Sequence, residues 1–87
     1  MQNPETMSYM MNDLTQYIMM PKIRYDTGIG TYVSYDIAEY DCFKRDIMTI
    51  VWDVTSDRNL ALRMCEMFNR YQLSPIQLKE AILDMIE

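Results

Sequence analysis

Catalysis needs a nucleophile, a base or a ligand set, and this sequence offers few of them. It contains no histidine, which removes the commonest general base and the usual imidazole ligand for zinc or copper. Carboxylates remain: Asp46, Asp53 and Asp57 are near enough in sequence to be imagined as an acid–base pair or as oxygen ligands for Mg²⁺. Asp57, however, follows Thr55-Ser56 ahead of an apolar helical stripe, where a carboxylate meets the positive end of a helix dipole. Asp53 falls on a strand. Cys65 lies among apolar neighbours with no base at hand, so it lacks what activates a thiol. Gly28-Ile29-Gly30 is half of a glycine-rich phosphate loop, but no third glycine follows, and a strand rather than a helix comes next. A hairpin turn accounts for it. The expectation is no catalytic residue, no cofactor, no metal and no enzyme.

Binding functions are narrowed by charge. The chain has 87 residues with 8 Lys+Arg against 13 Asp+Glu, a formal net charge of −5. Duplex binding draws most of its affinity from phosphate neutralisation by a basic stripe, and no segment here is basic. Tyr32, Tyr35, Tyr40 and Trp52 could form a stacking platform for single strands, but such platforms need Lys/Arg rails, and acids surround these rings. Neither nucleic acid nor a membrane is an expected partner, since no apolar run approaches the ~18–20 residues that span a bilayer. Cys42 and Cys65 form no CxxC and no export signal is visible; two thiols in a reducing cytoplasm are expected.

The elements that position these groups follow from hydrophobic period. Asn3-Pro4-Glu5 has the form of a helix start. Met7, Met10, Met11, Leu14, Tyr17 and Ile18 then recur at helical spacing, which predicts an amphipathic, Met-rich N-terminal helix over about 4–18, stopped by Pro21. Residues 1–20 are thus set apart from a single α+β domain over 21–87. The period changes to two after Pro21, giving a short strand around Ile23 and Tyr25, the Gly28–Gly30 turn, a second strand over 31–40 and a third over 47–54. Thr55-Ser56-Asp57 opens a helix with Leu60, Met64, Met67, Phe68 and Tyr71 on one stripe, ending near Arg70. Ser74-Pro75-Ile76-Gln77 reads as a capping box opening a last helix over about 75–86. The predicted fold is α+β: an N-terminal helix, a three-stranded antiparallel β-meander, and a C-terminal αα-hairpin packed on one sheet face.

Tyr32-Val33-Ser34-Tyr35-Asp36-Ile37, Asp53-Val54-Thr55-Ser56-Asp57-Arg58, Asn69-Arg70 and Leu73-Ser74-Pro75-Ile76-Gln77-Leu78 occur in an order that resembles a small bacterial family, domain of unknown function 6514. The resemblance covers residues 31–87. It departs at Gln77, where similar sequences often carry histidine, and at Asp36, where a small residue is usual. What it implies is a fold and a bacterial origin; the family brings no activity with it.

Interaction is the remaining function class. Ten methionines in 87 residues suit adaptable contact surfaces as well as irregular cores. The stripe of Met7, Met10, Met11, Leu14, Tyr17 and Ile18 has helix-in-groove spacing, and the second sheet face shows Tyr32 and Tyr40. These eight residues are the expected partner-binding set, whether the stripe packs on its own sheet or on another chain. A domain of this size buries little of its surface and is marginal alone, so a self-associating, homodimeric protein–protein module is the leading expectation. The alternative is an acidic inhibitor or nucleic-acid mimic, with Asp36, Glu39, Asp41, Asp46 and Asp53 imitating phosphates.

Overall fold

A computed structural model describes residues 15–86. Three strands, β1 (Thr15–Asp26), β2 (Gly30–Asp41) and β3 (Asp46–Thr55), form one sheet in the order β1-β2-β3. Both pairings are antiparallel. Two helices follow, α1 (Arg58–Arg70) and α2 (Leu78–Ile86), the latter entered through a 3-10 turn at Pro75–Gln77. The meander and the two C-terminal helices are therefore as the sequence predicts.

The N-terminal helix is corrected. Residues 15–20 belong to β1, which pairs with β2 without interruption from Thr15↔Asp41 to Asp26↔Gly30. Tyr17 and Ile18 fit both periods, but Thr15, Tyr17 and Ile18 are also good strand formers. The continuous ladder to β2 satisfies every other amide, which a short helical stripe cannot match. Pro21 does not end the element; β1 is an edge strand, where a residue lacking its N–H is tolerated. Met7, Met10, Met11 and Leu14 lie outside the described residues.

One face of the sheet carries the core. Tyr17, Ile37, Met64, Cys65, Phe68, Leu78 and Ile82 are buried together, with Met19, Val51, Val54 and Leu60 packed around them. Tyr17 does more than fill space. Its ring meets Phe68 edge-on at 5.8 Å between centroids, its hydroxyl donates to the Leu73 carbonyl, and its backbone exchanges two hydrogen bonds with the Asn69 side chain at 2.7 and 3.0 Å. A single β1 residue thus fixes the end of α1 and the link to α2.

Helix α1 starts as its sequence implies. Asp57 is the N-cap, and its carboxylate accepts from the amides of Asn59 and Leu60 at 3.0 and 3.2 Å. The second start differs from expectation. Ser74 makes no side-chain cap; the Gln77 amide instead bonds the Ser74 carbonyl at 2.9 Å, because a tight 3-10 turn closes the ring before the side chain is needed.

Burial of these core groups gives alkaline sensitivity. Burial, reinforced by the charge of Glu39 across the ladder, raises the Tyr17 phenol from 10.0 to about 12, and burial alone raises the Cys65 thiol from 9.0 to about 11. The folded state therefore favours both neutral forms. Their contribution is complete below pH 9 and falls as pH rises, first between 9 and 11 through Cys65, then between 10 and 12 through Tyr17. Urea midpoints measured from pH 8 to 12 should fall in that window, and Tyr17→Phe should flatten its upper part. In the same assay at neutral pH, Ile37→Ala should cost about 2–5 kcal/mol with an unchanged denaturant slope.

Candidate functional site

Alternation along β2 puts Ile37 in the core and Ser34, Asp36 and Ala38 on the face away from the helices. That second face has a polar end and an apolar end. At the polar end β3 is irregular. Tyr35 pairs with Thr55 and Ile37 with Val51, so Asp36 alone faces Trp52, Asp53 and Val54. The chain accommodates the surplus by putting Asp53 at φ 52, a left-handed conformation that Asp tolerates better than most side chains. This bulge aims the Asp53 amide at Asp36 Oδ1, at 2.7 Å. The Arg24 guanidinium donates to the same oxygen at 2.6 Å and to Ser34 Oγ at 2.7 Å. Arg24 also lies 3.8 Å from the Asp53 carboxylate, and the Tyr32 hydroxyl reaches that carboxylate at 3.4 Å. Asp36 is 1% exposed, and its second oxygen, Oδ2, is buried with no hydrogen-bond partner among the described residues.

The apolar end is formed by Ile18 opposite Ala38, Met20 opposite Asp36, and by Ile50 and Ile47 opposite Ala38 and Tyr40. Trp52 borders it, with the Lys22 ammonium 4.6 Å from its ring centre.

A second feature lies beyond the third strand. Because β3 reaches only Tyr35, residues 22–34 form a two-stranded arm. On the arm's helix-side face Ile23 pairs with Val33 and Tyr25 with Thr31. Neither α1 nor α2 extends over them: Ile23 is 74%, Tyr25 72% and Val33 44% exposed, and Ile29 at the tip is 75% exposed. The tip closes on Asp26, whose carboxylate holds the Gly28 amide at 2.7 Å, with Gly30 at φ 90.

Between α1 and α2 is an open apolar cleft of about 260 Å³, bordered by Met67, Tyr71, Leu73, Ala81 and Met85 with Asp84 at its edge. One carboxylate with no partner base is not an acid–base site.

The expected partner-binding residues are thus divided. Ile18, Tyr32 and Tyr40 share the second face. Tyr17, at 3% exposure, is committed to the core. Met7, Met10, Met11 and Leu14 are outside the described residues. The carboxylates weighed for chemistry have structural tasks: Asp57 caps α1, Asp46 accepts from the Ile47 amide, and Asp53 lies beside Arg24 and Tyr32; Asp41, named among the phosphate mimics, accepts from the Phe43 and Lys44 amides. Among the described residues no group of three or more His, Cys, Asp or Glu could hold a metal ion. Asp36 and Glu39 lie on opposite faces of β2, and Asp36 is buried, so the five acids proposed as phosphate mimics do not share one surface. No helix among the described residues is long and apolar enough to cross a membrane.

Sequence reasoning missed the Arg24–Asp36 pair and the arm. The pair had one legible signal, an acid in an otherwise apolar central strand, which requires a buried partner. In comparisons with known proteins, no family model, no curated protein and no solved structure matches the chain.

Arg24→Met leaves a buried carboxylate uncompensated and should cost about 3 kcal/mol in urea denaturation. The double variant Arg24→Met/Asp36→Leu should recover most of that loss, giving a clear coupling energy in the double-mutant cycle. Asp53→Val, which forces a β-branched residue into the left-handed bulge, should cost about 1–3 kcal/mol, whereas Asp53→Gly should lie near the parent.

Proposed function

We propose that this protein is a non-enzymatic protein–protein interaction module that self-associates, and that the apolar face of its β-arm is the surface a second copy covers. The observation that carries this reading is the exposure of Ile23, Tyr25 and Val33 side by side on a rigidly held arm. An isolated two-stranded hairpin is at best marginal in water. Here the base of the arm is fastened on its other face by Arg24 to Ser34 and Asp36, and by Lys22 over Trp52. The arm is preorganised, so association does not have to order it.

A second copy suits the arm by composition. Tyr25 supplies an aromatic anchor, Ile23 and Val33 the apolar surround, and Thr31 a polar border. In a closed dimer the same patch from each copy would meet across a two-fold axis. Beyond Tyr35, β2 also has an edge that β3 does not occupy, so two arms can add backbone hydrogen bonds to side-chain burial. Burying each large apolar side chain contributes about 1.5–3 kcal/mol; three from each copy compete with the roughly 4–15 kcal/mol cost of association. The resemblance of residues 31–87 to domain of unknown function 6514, the bacterial origin it implies, and the cytoplasmic setting expected from the two thiols belong to this same proposal.

Size-exclusion chromatography with light scattering on the full chain tests it. The parent should run as a dimer at tens of micromolar, and Tyr25→Arg or Ile23→Glu should shift it to monomer without loss of helical circular dichroism. A parent that stays monomeric at several hundred micromolar overturns self-association. A dimer indifferent to both substitutions overturns the arm as its interface.

A further inference from the structure

The arm has two borders, and they are unequally protected. The outer border of β1 carries Pro21, Lys22, Arg24 and Asp26, the proline and charges that natural sheet edges use against strand addition. The border of β2 from Gly30 to Ser34 reads Gly-Thr-Tyr-Val-Ser, with no charge and no proline. Its register with β1 is unbroken, so no bulge twists it aside. This border is open because β3 makes its last pairing at Thr55 with Tyr35, after which the chain passes through the Asp57 cap into α1. Strand-forming side chains thus sit on a row of backbone groups that no strand among the described residues pairs.

We propose that a second copy supplies the missing strand: β2 of one protomer pairs antiparallel with β2 of its partner over residues 30–34, about a two-fold axis at Tyr32. This rests on the arm as the self-association surface and specifies how two arms meet. Three observations select a second copy over an unrelated extended segment. The first is register. Identical strands paired antiparallel are centred on a two-fold axis, and the free stretch Gly30–Ser34 has Tyr32 at its middle. Thr31 then lies opposite the partner's Val33, and Gly30 opposite the partner's Ser34. The second is room. In this register each β2 enters the column that the other copy's β3 leaves at Thr55, so no existing pairing is displaced. The third is chemistry. The stretch is uncharged, so pairing it with itself opposes no like charges. On the helix-side face the row Ile23–Val33 of one copy continues into the partner's Thr31 and the partner's Tyr25, with neighbouring Cβ atoms about 5 Å apart. The exposed side chains of two arms thereby become one apolar band across four strands.

Isotope-filtered NMR on full chains, labelled and unlabelled protein mixed at several hundred micromolar, tests it. Backbone nuclear Overhauser contacts are expected between Thr31 of one chain and Val33 of the other. Amide exchange within residues 30–34 should slow about tenfold or more between dilute and concentrated protein, while Ile37, already paired on both sides, is unchanged. Tyr32 points away from the arm's apolar face, so Tyr32→Lys separates strand pairing from stacking of that face. It brings two ammonium groups to the axis and should weaken the dimer several-fold with helical circular dichroism retained, whereas Tyr32→Phe should match the parent. A dimer whose interchain contacts are confined to the side chains of Ile23 and Tyr25 overturns strand pairing and leaves the arm's face as the interface. A dimer as tight in Tyr32→Lys as in the parent overturns the axis at Tyr32. A chain that stays monomeric at this concentration overturns both readings.

Discussion

A single buried carboxylate organises the sheet. Asp36 sits at the middle of the central strand, where an unpaired charge is untenable, and each of its neighbours is arranged in response. Arg24 reaches it from β1, and Asp53 offers its amide from β3. The amide can do so only because β3 bulges into a left-handed residue at that point. One oxygen thus ties together all three strands at the level where the third strand ends. Below it the sheet is three strands wide and carries the core; above it only the arm continues. The direction of the arm, and with it the presentation of Ile23, Tyr25 and Val33, depends on this tether.

The helical layer is organised in a parallel way by Tyr17. Its backbone is held by Asn69, its ring by Phe68 and its hydroxyl by Leu73. Asp36 and Tyr17 project from opposite faces of the same pair of strands, so the β1–β2 ladder transmits between them. Neither contact is local: the partners are separated by many residues in sequence, and both form only when the ladder is in register.

That separation explains what the sequence made legible. The meander turns, the Asp57 cap and the two C-terminal helices are decided by near neighbours, and they can be read directly. The start of β1 cannot. Tyr17 and Ile18 satisfy a helical stripe extending back to Met7 as well as a strand extending forward to Tyr25, and pairing with β2 decides between them. The capping box at Ser74 fails for a related reason, since a 3-10 turn provides the bond first. The bulge at Asp53 and the pair Arg24–Asp36 are consequences of long-range register. Of the expected interaction residues, Tyr32 and Tyr40 were legible as one face because strand alternation places them there, whereas Ile18 joins them only through the strand that replaces the expected helix. The arm was not, because nothing local reveals where the third strand stops.

The outer edges of this sheet have a further significance. β1 carries Pro21 in the middle of its edge, and β3 is broken on its edge by the Asp53 irregularity and by an extra residue, Met48, between its pairings with Glu39 and Tyr40. A proline removes a ladder donor, and bulges twist an edge out of line, so neither border can template another straight strand. A protein that exposes apolar side chains on a β-arm risks open-ended stacking into fibres. With the outer borders of β1 and β3 blunted, sheet growth along them is disfavoured, and the stretch of β2 beyond Tyr35 is left as an open edge.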